Sequence, residues 1–214
     1  TISGWSLVLG PVAGILSSRF SKKWMIVGSM VIGGIGFFAM AYAISPTVSF
    51  VELWPGMVLM GITNGMVNPL LNTAGMEGAL PQEMGMVSGL LNVFRQFGTT
   101  VGVVGLGLIQ DAQYETHLNN HLHLIQMPAK VVNGIKDALV NAGPFSGHTI
   151  AFSTRMQQMP FASTLQKIVI AAYDNGMAAV AISSGVLVLL GALGAAILMR
   201  NRIASQDIEL KQDK

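Results

Sequence analysis

Arg95 is the residue whose type and position most need a chemical explanation. It lies about ten residues, or roughly 15 Å of helix, into the apolar run Met84–Asp111. An ionised side chain at that depth in hydrocarbon costs about 2.5–3.5 kcal/mol on insertion scales, so it must face a bundle interior or a wet cavity. Two roles fit. One is a cavity cation that orders its helix and meets a carboxylate supplied from elsewhere. The other is a packing residue that bonds neighbouring carbonyls. Gln96 adds a neutral donor, and Asn92 belongs with it on the same run. Asn64, Asn68 and Asn72 recur at i, i+4 and i+8, which puts them on one helix face. Thr63 flanks that face, and Pro69 loosens the backbone there. Such a face is either a polar cavity wall or hydrogen-bonding glue between helices, worth about 0.6 kcal/mol per contact.

Other chemistry is thin. His117 and His121 are spaced to share a helix face, with His123 close by, but no Cys exists and acids are sparse, so solvated loop histidines are expected and no metal. Gly33-Gly34-Ile35-Gly36 lacks the Lys-Ser/Thr of a phosphate loop and reads as helix packing. Met60 and Met66 can lend plasticity to an apolar wall. No Ser/His/Asp constellation has a supporting context, so an enzyme and a cofactor are not expected.

The elements that position these residues are long and apolar. Met25–Phe50, Leu53–Met76 and Asn175–Met199 hold no Asp, Glu, Lys or Arg, and Met84–Asp111 holds Arg95 as its internal charge. A span needs about 20 apolar residues, and in hydrocarbon each backbone polar group must be paired within the segment, so these runs are expected to be helices. Charged residues make up 10% of the chain and hydrophobic ones 51%, against about 25% charged in a soluble domain. The net charge of +2, with basic residues beside the apolar runs, speaks against nucleic acid. The 25 Gly are spread through the runs, where small residues allow close helix approach. The fold expected is all-α: a polytopic transmembrane bundle of about five spans, the first a partial one in Thr1–Ser18.

The basic turn Arg19-Phe20-Ser21-Lys22-Lys23-Trp24 sets the orientation, because short cytoplasmic loops carry Lys and Arg. With that turn inside, the spans near Met25–Ile44 and Gly85–Asp111 run outward. Those near Trp54–Thr73 and Asp174–Met199 run inward. The C-terminus is then cytoplasmic, as Arg200, Arg202, Lys211 and Lys214 independently require. The Gly75–Glu83 loop, with Glu77 and Glu83 and no base, goes against the pattern, but acidic residues weigh little. Trp24 and Trp54 fall at span ends, and Pro81 suits the first turn of the helix that follows. Four segments result: 1–111 with the membrane helices, 112–173 as a large and partly helical external loop, 174–199 as the last span, and 200–214 as a tail. Pro128–Leu139 and Thr164–Ala172 carry helical spacing within the loop.

Two patterns resemble a known family. Gly10-Pro11-Val12-Ala13-Gly14-Ile15-Leu16-Ser17-Ser18-Arg19-Phe20-Ser21-Lys22-Lys23 resembles the loop motif of the major facilitator superfamily, G-x-L-x-D-R-x-G-R-[RK], in its C-terminal copy. Gly14, Leu16, Arg19, Lys22 and Lys23 match. Ser18 replaces the Asp and Ser21 the Gly, which removes the acidic partner of a cytoplasmic charge relay. Pro81 to Gly102, PQEMGMVSGLLNVFRQFGTTVG, resembles the P-x-x-x-G-x-[AV]-S-G-x-x-N-x-x-R-Q-x-G-x-x-[LV]-G segment of the fourteen-helix drug:proton antiporters of the EmrB/QacA type. Gly61 to Pro69 is similar to the polar, Pro-containing inward helix of that branch.

The resemblance implies two six-helix bundles plus two extra helices, and exchange of protons for amphipathic, often cationic, drugs by alternating access. This chain would be the C-terminal part, and the N-terminal half of the same transporter would be its partner, along with lipid, substrate and protons. The location implied is a cell membrane, of the bacterial inner-membrane kind. Proton exchange needs a titrating group. Glu52, Asp111 and Asp174 sit at outer ends, and Asp111, which closes the Arg95 helix, is the candidate here, with a solvated helix-end carboxylate as the plainer reading. A facilitator for one metabolite, or a truncated fragment without transport, are the alternatives.

Overall fold

Helix α1 (Lys22–Ala43) starts directly after Ser21, whose carbonyl accepts the Met25 amide at 3.1 Å. The computed structural model describes residues 21–44, 50–76, 79–122, 129–151 and 162–199, and its elements are all helices. The others are α2 (Phe50–Met76), α3 (Met84–His121), α4 (Ala129–Ala151) and α5 (Ala162–Leu198). The expected partial span in Thr1–Ser18, the motif residues Gly14 and Arg19, His123 and the tail lie outside the described residues.

Among the described residues, three helices are long and apolar enough to cross a membrane: α1, α2 and α5. Helix α3 has the length, at 38 residues, but Asn92, Arg95 and Gln96 dilute its hydropathy. Trp24 and Trp54, expected at interfaces, are exposed.

The chain divides into two compact units. The described residues of the first are 21–39, 54–76, 79–100 and 184–199. Within it α1 is held by close backbone approach on two sides. A Cβ built on Gly36 would meet Leu59 Cβ at 2.9 Å and the Gly56 carbonyl oxygen at 3.2 Å, both on α2. A Cβ on Gly34 would meet the Leu189 side chain of α5 at 2.8 Å. Glycine therefore sets these separations, as expected where hydrophobic driving force between membrane helices is absent. Thr63 Oγ1 donates to the Ser29 carbonyl at 2.8 Å, an α2–α1 bond, and also lies 3.0 Å from its own-turn Leu59 carbonyl. Met25, Ile26 and Leu70 form a small core, with Met66 packed against it, so Met66 serves packing here.

The described residues of the second unit are 40–44, 50–53, 101–122, 129–151 and 162–183. Tyr114, Leu118 and Leu122 recur every four residues along α3 and its end, facing Val132 and Leu139 of α4 and Leu165, Ile168, Val169 and Ala172 of α5. That periodicity puts one apolar stripe of each helix into a shared core. Helix α3 continues past Asp111 to His121, and α5 begins at Ala162, so the boundaries drawn from hydropathy at 112 and 173 fall inside helices. The reason is physical: polar residues on the outer faces lower the average hydropathy without breaking the helix. Helix α4 is broken at Gly143 (φ 74, ψ 173), a backbone conformation open to glycine, and Pro144 follows.

Candidate functional site

The α2–α3 connection brings the polar residues of the two helices together. Pro81 sits in a turn ahead of α3, where the Glu83 amide donates to the Leu80 carbonyl at 2.8 Å, and α3 starts with Val87 N–H bonded to Glu83 O at 3.0 Å. Close by, Gly75 of α2 admits Leu91 of α3: a Cβ there would lie 2.8 Å from Leu91 Cδ1. The helices are thus near enough for Arg95 Nη2 to donate to Asn72 Oδ1 at 2.7 Å. This pair belongs to the wall of an open cavity of about 360 Å³, lined by Asn72, Met76, Ser88, Gly89, Leu91, Asn92 and Arg95. The volume is in the range of small-molecule sites.

Three expected site residues, Asn72, Asn92 and Arg95, meet here. Asn64 and Asn68 do not line the cavity: Asn68 Nδ2 donates to Asn64 Oδ1 at 2.6 Å, a bond along one exposed face of α2. Next along α2, the Pro69 carbonyl accepts Thr73 Oγ1 at 3.0 Å. Gln96 is exposed outside the cavity wall, its carbonyl accepting Thr100 Oγ1 at 3.0 Å. Lys22 and Lys23 open α1, and Lys23 Nζ lies 5.8 Å from the Trp24 ring centroid. Ser88, Gly89, Leu91 and Met76 were not singled out by sequence. Ser88, Asn92 and Arg95 do recur at i, i+4 and i+7, so helical spacing carried the signal for Ser88.

In the second unit, Asp111 is exposed on α3. Asp174 of α5 contrasts with it: its Oδ2 is buried and has no hydrogen-bond partner among the described residues. His117 and His121 stack with ring centroids 4.0 Å apart. Asn175 Nδ2 lies 3.2 Å from His117 Nδ1, linking α5 to α3. Burial, and then the neighbouring His121 charge, hold the His117 imidazole below its ordinary pKa. Tyr114, in the core beside them, is pushed up to about 12 by burial.

Comparison with known proteins gives this geometry a context. A model described as Major Facilitator Superfamily matches residues 1–103. The chain is 31% identical over 116 residues to a Streptomyces coelicolor protein named "Probable actinorhodin transporter", a match covering 51% of this chain and 20% of that protein. It is 26% identical over 106 residues to "Methylenomycin A resistance protein" of the same species, covering 46% of this chain and 22% of the other. It is 22% identical over 215 residues to "Multidrug transporter protein MdtP" of Bacillus subtilis, covering 97% of this chain and 40% of that protein. These matches support the major facilitator superfamily. With the apolar helices, they support a multi-pass membrane protein. The cavity lies wholly within the residues the superfamily model matches. Residues 104–214 fall outside that model, while the match to MdtP covers nearly the whole chain. The chain spans between 20% and 40% of the length of these relatives. No solved structure matches the chain.

Proposed function

We propose that the full-length protein is a proton-coupled exporter of amphipathic small molecules in the cell membrane, working by alternating access, and that this chain forms its C-terminal helices as in the EmrB/QacA branch. The observation that carries the reading is the Arg95–Asn72 cavity between two helices within the superfamily match. Transporters of this kind hold substrate between helix repeats, with irregular or polar helix segments lining the site. Residues 84–111 of α3 then form a span in spite of Arg95, because α2 supplies a hydrogen-bond acceptor to the guanidinium. Segment 112–173 stands outside, the tail 200–214 is cytoplasmic, and an N-terminal half closes the pathway. The relatives' names, which include an actinorhodin transporter and a multidrug transporter, support export as the direction. Proton coupling falls to a carboxyl in a partly dry position. Asp174, with its buried oxygen, suits this better than the exposed Asp111.

Respiring inverted vesicles carrying the full-length protein test the reading. They should accumulate a fluorescent amphipathic dye, and a protonophore should abolish the accumulation. Asp174→Asn should remove most of it, and Asp111→Asn should stay near wild type. Accumulation that survives the protonophore would sink proton coupling, and none with any dye would sink export.

A further inference from the structure

The chemistry of the cavity wall selects among substrates. A guanidinium offers five N–H donors in a planar fork and accepts nothing. Arg95 uses one of these on Asn72 Oδ1, and no further partner is seen for it among the described residues. Asn72, Ser88 and Asn92 supply the remaining polar wall, and among the described residues no Asp or Glu lines the cavity. Met76 and Leu91 form its apolar side, and Gly89 leaves room because it projects no side chain. A cationic fork with neutral polar groups beside it and apolar surface in the same cavity matches a molecule with an anionic group on a hydrophobic body. Planar oxyanions pair with such a fork through parallel, charge-assisted hydrogen bonds. A cation in the same place would meet like charge with no carboxylate among the described lining residues to offset it.

We infer that this cavity receives the carboxylate or phenolate of an amphipathic substrate, so that the protein handles organic anions in preference to cationic drugs. The inference deepens the export reading above and rests on it for the source of the ligand. Asn72 holds the guanidinium in place, and Asn92 and Ser88 stand about one and two turns from Arg95 to bond the substrate's remaining oxygens.

Two xanthene dyes of opposite charge, carboxyfluorescein and rhodamine 6G, provide the test. Their binding to the purified full-length protein is followed by fluorescence anisotropy, and their accumulation by inverted vesicles in parallel. Wild type should bind carboxyfluorescein more tightly than rhodamine 6G. Arg95→Gln should weaken carboxyfluorescein binding about tenfold or more, the usual worth of a hydrogen bond to a charged group. Arg95→Lys, which keeps the charge and loses the fork, should fall between and shows that the site survives substitution. Rhodamine 6G binding should not weaken in Arg95→Gln. Preference for rhodamine 6G, expected if a carboxylate of the protein itself neutralises Arg95, would overturn the inference. So would absence of carboxyfluorescein binding, or binding unchanged in both variants. Arg95-dependent carboxyfluorescein binding without accumulation would leave the anion site standing and sink the export reading alone.

Discussion

Asn72 and Arg95 make a dipole–cation contact that one substitution converts into an ion pair. Asn72→Asp would place a carboxylate oxygen where Oδ1 now accepts from Nη2 at 2.7 Å. The positive charge would be offset without any loss of the arginine or of volume. Transport of an organic anion should fall by about tenfold or more, as for loss of a charged hydrogen bond. Vesicle accumulation at equal amounts of inserted protein measures this. Unchanged transport would mean that Arg95 acts by shape, as a packing residue. At His117 the sign of the pH effect follows from its lowered pKa. The folded state prefers the neutral ring, so the stabilisation is full above the unfolded value near 6.5 and is lost as pH falls through the folded value. Hydrogen-exchange protection, measured relative to the intrinsic exchange rate at each pH, should therefore fall in residues 112–122 and 162–175 between pH 7 and pH 5. His117→Gln should flatten that dependence. An equal pH response in this variant would assign the effect to another group.

Among the elements, α1 depends on approach distance and the α3–α4–α5 core depends on burial. Gly36→Val would drive a branched side chain into Leu59 and the Gly56 carbonyl, both on helical backbone that cannot step aside cheaply. Overpacking of this kind costs about 1–3 kcal/mol, so the detergent-solubilised protein should melt several degrees lower. Gly28→Val, where a Cβ would meet nothing within 4 Å, is the control and should melt close to wild type. Leu118→Ala should cost about 2–5 kcal/mol locally, since Leu118 is fully buried between three helices. Proteolysis within residues 112–173 should rise while the amount of membrane-inserted protein stays the same. If Leu118→Ala resisted protease as wild type does, the three helices would not share a core in the membrane-bound protein. The core was partly legible beforehand: Thr164–Ala172 and Pro128–Leu139 show helical spacing. The continuity of α3 and α5 through it was not, because window hydropathy falls wherever one face of a helix is polar.

For the whole molecule, orientation is the property that decides the rest. The chain has no Cys, so single cysteines introduced at chosen sites report without background. Probes at Ser21 and Ser205 should react from the cytoplasmic side only, and a probe at Ser146 from outside only. Outside labelling at Ser21 would invert the topology, and with it the access direction of the Arg95 cavity. The large apolar side chains of α3 between Met84 and Leu108 are widely exposed, among them Phe94 at 66% and Phe97 at 67%. In the full-length protein, lipid and an N-terminal half are the proposed cover for that surface.

The sequence by itself determined that this is a helical membrane protein, because runs of about 20 apolar residues admit few other solutions in hydrocarbon. It also determined that Arg95 needs polar company, because an isolated charge there is expensive. It did not determine which asparagines supply it. Asn64, Asn68 and Asn72 are equivalent by spacing. Only the placement of α2 against α3, set by the fit of Leu91 over Gly75, brings Asn72 within reach of Arg95 and leaves Asn64 and Asn68 bonded to each other. Burial likewise belongs to the fold: Asp111 and Asp174 look alike as helix-end acids, and the packing of α3, α4 and α5 leaves the first exposed and buries an oxygen of the second. Spacing along a chain fixes which residues share a face, whereas contact between faces depends on interhelix distances that arise when side chains interlock.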